Sequence, residues 1–265
     1  MGVLLALGAE GVRGVDTNAA CPLERASRFS TDGRLLVDNL SRRCAFGKRV
    51  FPCAPEITDG CCWRGCPVLL SGEGDSVTLH APDGMPLWTA VVGFAPRALC
   101  MLPGGRSMAV ACGLTGEVQL LRLPDLACLR RWQVPGAACC LALRRDTLFV
   151  ACAVGEEEIC GLLCSLSLQT GIMRTLLAFP GLPGALCVDE YMYLGATERL
   201  YCLSSDGTRL IAVQEGYGLP CRILAEAGRL WVADPVEEAL FQADVSLRGV
   251  PQVRFRGPVM DACRV

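Results

Sequence analysis

The sequence predicts an all-β fold: a single closed β-propeller domain over residues 1–265, most simply of seven blades. Three observations carry this. A phrase of about forty residues, the length of a four-stranded blade, recurs along the chain. No long window places apolar residues at helical spacing, so helices are not expected. The two ends of the chain also read as complementary fragments of one repeat.

The most legible part of the phrase is a strongly apolar second strand. It appears as Pro67-Val68-Leu69-Leu70, Ser107-Met108-Ala109-Val110-Ala111-Cys112 and Thr147-Leu148-Phe149-Val150-Ala151-Cys152, then as Tyr191-Met192-Tyr193-Leu194 and Arg229-Leu230-Trp231-Val232-Ala233. The strand before each carries a cysteine, at Cys62, Cys100, Cys140, Cys187 and Cys221, with Cys263 matching near the C-terminus. These strands are expected to be the inner ones, where a small, soft side chain fits the convergence of several strands.

Third and fourth strands are joined by Pro82-Asp83-Gly84, Pro124-Asp125-Leu126, Gln169-Thr170-Gly171, Ser205-Asp206-Gly207 and Leu247-Arg248-Gly249. A glycine that closes such a triplet supplies the positive φ of a tight hairpin. The N-terminal quarter is less regular. Residues 24–39 match residues 97–112 in having a short strand, a Gly turn and an Arg-led apolar strand, and Arg42–Phe46 with Arg49–Cys53 would complete that blade.

Closure follows from the ends. Residues 258–263 read as an inner strand with no blade after it, and residues 2–8 as a second strand with no inner strand before it. Joined, they make one blade from both termini and tie down ends that would otherwise fray. The expected blades are 258–265 with 1–23, then 24–53, 54–93, 94–135, 136–180, 181–218 and 219–257. Six blades, with Ser30 to Pro52 as an inserted hairpin, is the competing count.

Composition narrows the function classes. The chain is 52% hydrophobic and 20% charged with a net charge of −2, and no apolar run is long enough to cross a bilayer as a helix. Dispersed arginines on a near-neutral chain do not make the basic field that nucleic acid requires. Residues 1–7 lack the basic start of a secretory signal and read as a strand, so a cytoplasmic, reducing compartment is expected, with the eighteen cysteines as thiols.

The phrases MAVACGLTGEVQLLRLPDLACLRRW (108–132) and MYLGATERLYCLSSDGTRLIAV (192–213) carry a family likeness. The chain resembles divergent bacterial propellers of the YVTN and YncE-like repeat families and, more distantly, WD40 and NHL propellers. It lacks the repeated Gly-His and Trp-Asp pairing of WD40 repeats, since His80 is its one histidine. The resemblance implies a binding platform in most cases, and a lyase or a cofactor-dependent dehydrogenase in a minority.

Candidate chemistry is sparse, and the sequence names no catalytic residue. His80 lies in a third strand with no GxSxG elbow to serve. Cys61, Cys62 and Cys66, like Cys160 and Cys164, lack the CxxC spacing that wraps thiolates around one ion, so no metal and no cofactor is expected. The starts of the inner strands offer Arg25, Asp59, Arg97, Arg222 and Asp261, a mixed ring at the mouth of the central channel that would suit a small polar ligand. Trp88 and Trp132 fall in fourth strands, where an indole either packs between blades or anchors a partner.

The sequence therefore points first to a non-enzymatic platform for a protein or peptide, with neither nucleic acid nor membrane as partner. The alternative is a lyase- or hydrolase-type enzyme using carboxylate and arginine groups at the channel mouth. A redox-sensitive or metal-binding thiol domain is a third reading.

Overall fold

The computed structural model describes residues 3–7, 12–15, 23, 25–226 and 228–264, and these form 27 strands with no helix among them. The chain opens with β1 (Val3–Ala6) and β2 (Val12–Val15). Blade 2 follows as β3 (Arg28–Phe29), β4 (Leu35–Asp38), β5 (Arg43–Phe46) and β6 (Arg49–Pro52), and blade 3 as β7 (Ile57–Trp63), β8 (Cys66–Ser71), β9 (Ser76–His80) and β10 (Pro86–Val91). Blade 4 holds β11 (Pro96–Met101), β12 (Ser107–Cys112), β13 (Glu117–Arg122) and β14 (Cys128–Gln133).

Blade 5 is β15 (Ala137–Arg144), β16 (Thr147–Val154), β17 (Cys160–Ser167) and β18 (Met173–Pro180), and blade 6 is β19 (Pro183–Val188), β20 (Met192–Ala196), β21 (Arg199–Leu203) and β22 (Leu210–Glu215). Blade 7 is β23 (Arg222–Glu226), β24 (Arg229–Asp234), β25 (Ala239–Asp244) and β26 (Gln252–Arg256), after which β27 (Asp261–Arg264) ends the chain.

Each blade is its own antiparallel sheet in sequence order, and blade 1 has the order β2-β1-β27. Val3 to Ala6 pairs with Arg264 to Asp261, so the two termini share a blade as the sequence implied. The architecture is an all-β, closed, seven-bladed propeller. Blade 2 is a complete sheet, which removes the six-blade count with its inserted hairpin.

Two compact units divide the chain, residues 1–134 with 260–265, and residues 135–259. In the first, Cys61, Val68, Leu70, Val77 and Leu79 of blade 3 pack on Leu99, Met108, Val110 and Leu121 of blade 4. In the second, Tyr193, Leu200 and Cys202 of blade 6 pack on Ile223, Leu230, Val232 and Phe241 of blade 7. A second strand is flanked by strands on both edges and packed on both faces, so alternation gives way to a continuous apolar run. Met108 to Cys112 and Val150 to Cys152 are wholly buried for this reason.

Every turn triplet lies between a third and a fourth strand, and Gly84, Gly171 and Gly207 take positive φ. The last triplet departs from expectation: Leu247 takes the left-handed conformation at φ 53°, and Gly249 does not. Asp244 accounts for this. Its carboxylate accepts from the Ser246 N–H and its carbonyl from the Leu247 N–H, which sets the turn two residues early.

Candidate functional site

The first strand of a blade is paired on one side only, so its other edge presents backbone groups that need partners. Asp59 and Asp261 supply them. Asp59 follows a β-bulge at Thr58; its Oδ1 accepts from the Gly60 N–H at 2.8 Å and the Thr31 hydroxyl at 3.0 Å, and its Oδ2 accepts from the Leu99 N–H of blade 4 at 2.9 Å. Asp261 repeats the device, with Oδ1 on the Ala262 N–H at 2.8 Å and Oδ2 on the Phe29 N–H of blade 2 at 3.0 Å. Both carboxylates are buried, and each ties the first strand of one blade to that of the next.

These bonds define one register shared by the first strands. Leu99 and Phe29 occupy equivalent places, so Ala98 and Arg28 precede them at the position that Asp59 and Asp261 hold in their own blades. Arg222, paired with Ala233 as Asp261 is with Ala6, has the same register in blade 7. Of the five residues proposed from sequence, Asp59, Asp261 and Arg222 therefore share a register. Arg97 is the exposed bulge residue one position earlier, and Arg25 is exposed ahead of β3.

Arg28 is the residue that sequence reading missed. Half-buried between the two carboxylate-bearing strands, it donates through Nη1 to the Thr58 carbonyl. The signal was its place two residues after Ala26 in a strand of only two residues, too short to reveal a period.

The same counting corrects the recurring cysteine. Cys100 pairs with Ala109, Cys187 with Tyr193 and Cys263 with Leu4, all two residues beyond the shared register, and the blade 3 residue there is Cys61, not Cys62. Cys140 and Cys221 also fall off it, and Cys221 lies just ahead of β23. Cys62 lies one residue beyond that place, enough to turn it to the opposite face, and Cys140 lies two residues before it.

The seventeen described cysteines are free thiols, and no group of three His, Cys, Asp or Glu side chains among the described residues is arranged to hold a metal ion. Burial pushes the Cys100 thiol up to about 12 and Cys112 up to about 11. Cys152 and Cys164 on adjacent strands share a hydrogen bond that raises the first and lowers the second. Cys160 is exposed at the start of β17 while Cys164 is buried, so the pair singled out by spacing does not face one site.

The outer strands differ in chemistry. Among the described residues each blade ends on a strand with no further strand paired to its outer edge, and in every blade but one that strand carries charge: Arg13, Arg49, Arg130 and Arg131, Arg174, Glu215, or Arg254 and Arg256. Charged side chains at an edge discourage further strand pairing. The exception is β10 of blade 3, which reads Pro-Leu-Trp-Thr-Ala-Val. Met85, Leu87, Trp88, Val91 and Phe94, on and beside it, are each at least half exposed, Val91 at 80%. Trp132, by contrast, is half-buried in β14 beside Arg130 and Arg131 and opposite Val118. No described helix is long and apolar enough to cross a membrane.

No protein family profile matches the chain, and no curated protein matches its sequence. Solved structures do match in fold. A putative 6-phosphogluconolactonase from Bacteroides fragilis is similar at 12% identity and a TM-score of 0.71, over 99% of this chain and 97% of that one. The computationally designed Ika8 protein is similar at 12% identity and a TM-score of 0.68, over 97% and 86%. The Pan2 WD40 domain of Neurospora crassa is similar at 12% identity and a TM-score of 0.65, over 86% and 78%. At this identity the likeness is one of fold.

Proposed function

We propose that the chain is a non-enzymatic binding platform that takes an extended peptide segment of a partner protein along β10. The observation that carries this reading is the uncharged, apolar outer edge of blade 3 beside six outer strands that bear charge. A free strand edge offers backbone donors and acceptors for affinity, and side chains flanking it give specificity. Leu87 sits at a bulge in the pairing with β9, so Trp88 to Val91 is the regular stretch on which an added strand would align. Trp88 is the aromatic anchor, of the type that dominates interface energetics.

The wider reading keeps the remaining expectations: a cytoplasmic protein of one domain, of YVTN and YncE-like descent, with Trp132 as a further contact. The lyase or hydrolase alternative draws on Asp59, Asp261 and the arginines near them. The engagement of all four carboxylate oxygens with donors of the chain favours the platform reading, because a general acid or base needs an oxygen free for substrate.

Displayed random peptides selected on the immobilised protein test this. Extended sequences with alternating apolar residues should be enriched. Val91→Lys and Trp88→Ala should each weaken them by about tenfold or more while the melting temperature stays unchanged. Weakening by Trp132→Ala as well would extend the surface onto β14. If no peptide is enriched, or the selected peptides ignore both β10 substitutions, the platform is not this edge.

A further inference from the structure

Blades 2 and 3 pack closely where Leu35, Val37 and Phe51 meet Ile57 and Leu69. Farther out the contact changes character. Toward blade 4 the third strand of blade 3 presents Val77 and Leu79, both wholly buried. The opposite face of the same strand carries Thr78 and His80, and blade 2, whose strands are only two to four residues long, leaves space above them.

That space is a pocket of about 310 Å³, walled by apolar Ile57, Leu69 and Pro86 and by polar Thr78, Thr89 and His80. Among the described residues no Asp, Glu, Lys or Arg lines it. Cys53, also in its wall, is held protonated by burial and the nearby Asp38, which together push its thiol up to about 11. A volume of this size is at the lower end of small-molecule sites.

His80 is only 5% exposed. Its Nδ1 lies 3.0 Å from the Gly84 carbonyl, and because a carbonyl only accepts, Nδ1 carries the proton. Burial lowers the imidazole below its ordinary value of 6.5, which keeps the ring neutral with Nε2 as a lone-pair acceptor. Nε2 has no hydrogen-bond partner among the described residues. The ring is also braced: Phe51 packs 5.3 Å from it, centroid to centroid, and presses on Gly84, where an added Cβ would fall 2.3 Å from the Phe51 ring.

Beside it the Thr78 and Thr89 hydroxyls share a single hydrogen bond at 3.2 Å, which leaves one of the two O–H groups free to donate outward. The pocket thus sets one acceptor and one donor in an uncharged, largely apolar wall. We propose that it is a binding site for a small neutral ligand bearing an amide edge, with the ligand N–H donating to His80 Nε2 and its carbonyl accepting from the threonine pair. Pro86 and Thr89 of β10 form one side of this pocket, but a ligand here needs no peptide on the β10 edge.

Because the chain has one histidine, its ring signals in an NMR spectrum report on this pocket alone. Benzamide and 2-pyridone, titrated as neutral amide probes, should shift those signals saturably, and benzoate should not. In calorimetry with the same probes, His80→Asn should weaken binding by about tenfold, because its Nδ2–H can keep the donor to Gly84 while the acceptor at the position of Nε2 is lost. Thr78→Val combined with Thr89→Val should weaken it by a similar factor, and remains informative if the His80 variant does not fold. The proposal is overturned if neither neutral amide shifts the histidine signals, if benzoate binds as well as benzamide, or if the folded variants bind as the parent does.

Discussion

Asp59 shows how far one side chain governs this fold. Its carboxylate satisfies its own strand, the blade before and the blade after, through Gly60, Thr31 and Leu99. Removing it strands a buried N–H on Leu99, a loss of about 1–3 kcal/mol. Asp59→Ala should therefore lower the unfolding free energy measured in urea by that amount, whereas Asp59→Asn, which keeps one acceptor oxygen, should lose less. Equal stability of Asp59→Ala and the parent would show that the carboxylate is not a structural tie and would restore it as a candidate for chemistry. Charge type and strand position made Asp59 and Asp261 visible in the sequence. What they bind was not visible, because their partners lie 40 and 232 residues away.

At the scale of the element, strands of one blade differ by their neighbours more than by their composition. Leu70 in β8 is wholly buried between blades, and Val91 in β10 is 80% exposed, although both are aliphatic residues in strands of six. Leu70→Ala should cost about 2–5 kcal/mol in chemical unfolding, by lost burial and the cavity left behind. Val91→Ala should change stability by about 0.5 kcal/mol or less. Comparable losses at the two sites would mean that β10 is covered in the free protein and unavailable to a peptide. The bulges also belong to this scale. Thr58, Arg97, Cys139 and Gly184 each insert one residue at the head of a first strand, and this puts Arg97 on the bulge, one residue ahead of the register that Asp59 holds.

Across the whole molecule, thiols report how burial is distributed. Cys128 and Cys160 are exposed, while Cys44, Cys61, Cys112, Cys140, Cys152, Cys164, Cys202 and Cys263 are buried. Only the thiolate reacts, and burial both blocks access and disfavours ionisation, as for Cys112 at about 11. A short iodoacetamide pulse read by peptide mass spectrometry should label Cys128 and Cys160 first and the buried set only as blades open. Labelling of Cys112 as fast as Cys128 would contradict the packing of blade 4 against blade 3.

By itself the sequence determined the all-β class, the forty-residue period, the sharing of one blade by both termini and the location of the hairpin turns. These features follow from local rules: apolar runs mark strands buried on both faces, and turn residues mark where the chain reverses. The sequence also put seven blades ahead of six; the tertiary structure alone decided the commitment of Asp59 and Asp261 to backbone donors, the place of Arg28 between them, and the pocket beside His80. Each of these depends on which strand lies against which, across separations of tens to hundreds of residues. A bulge of one residue reverses the face a side chain presents, and neither the bulge nor the distant partner leaves a mark in local composition.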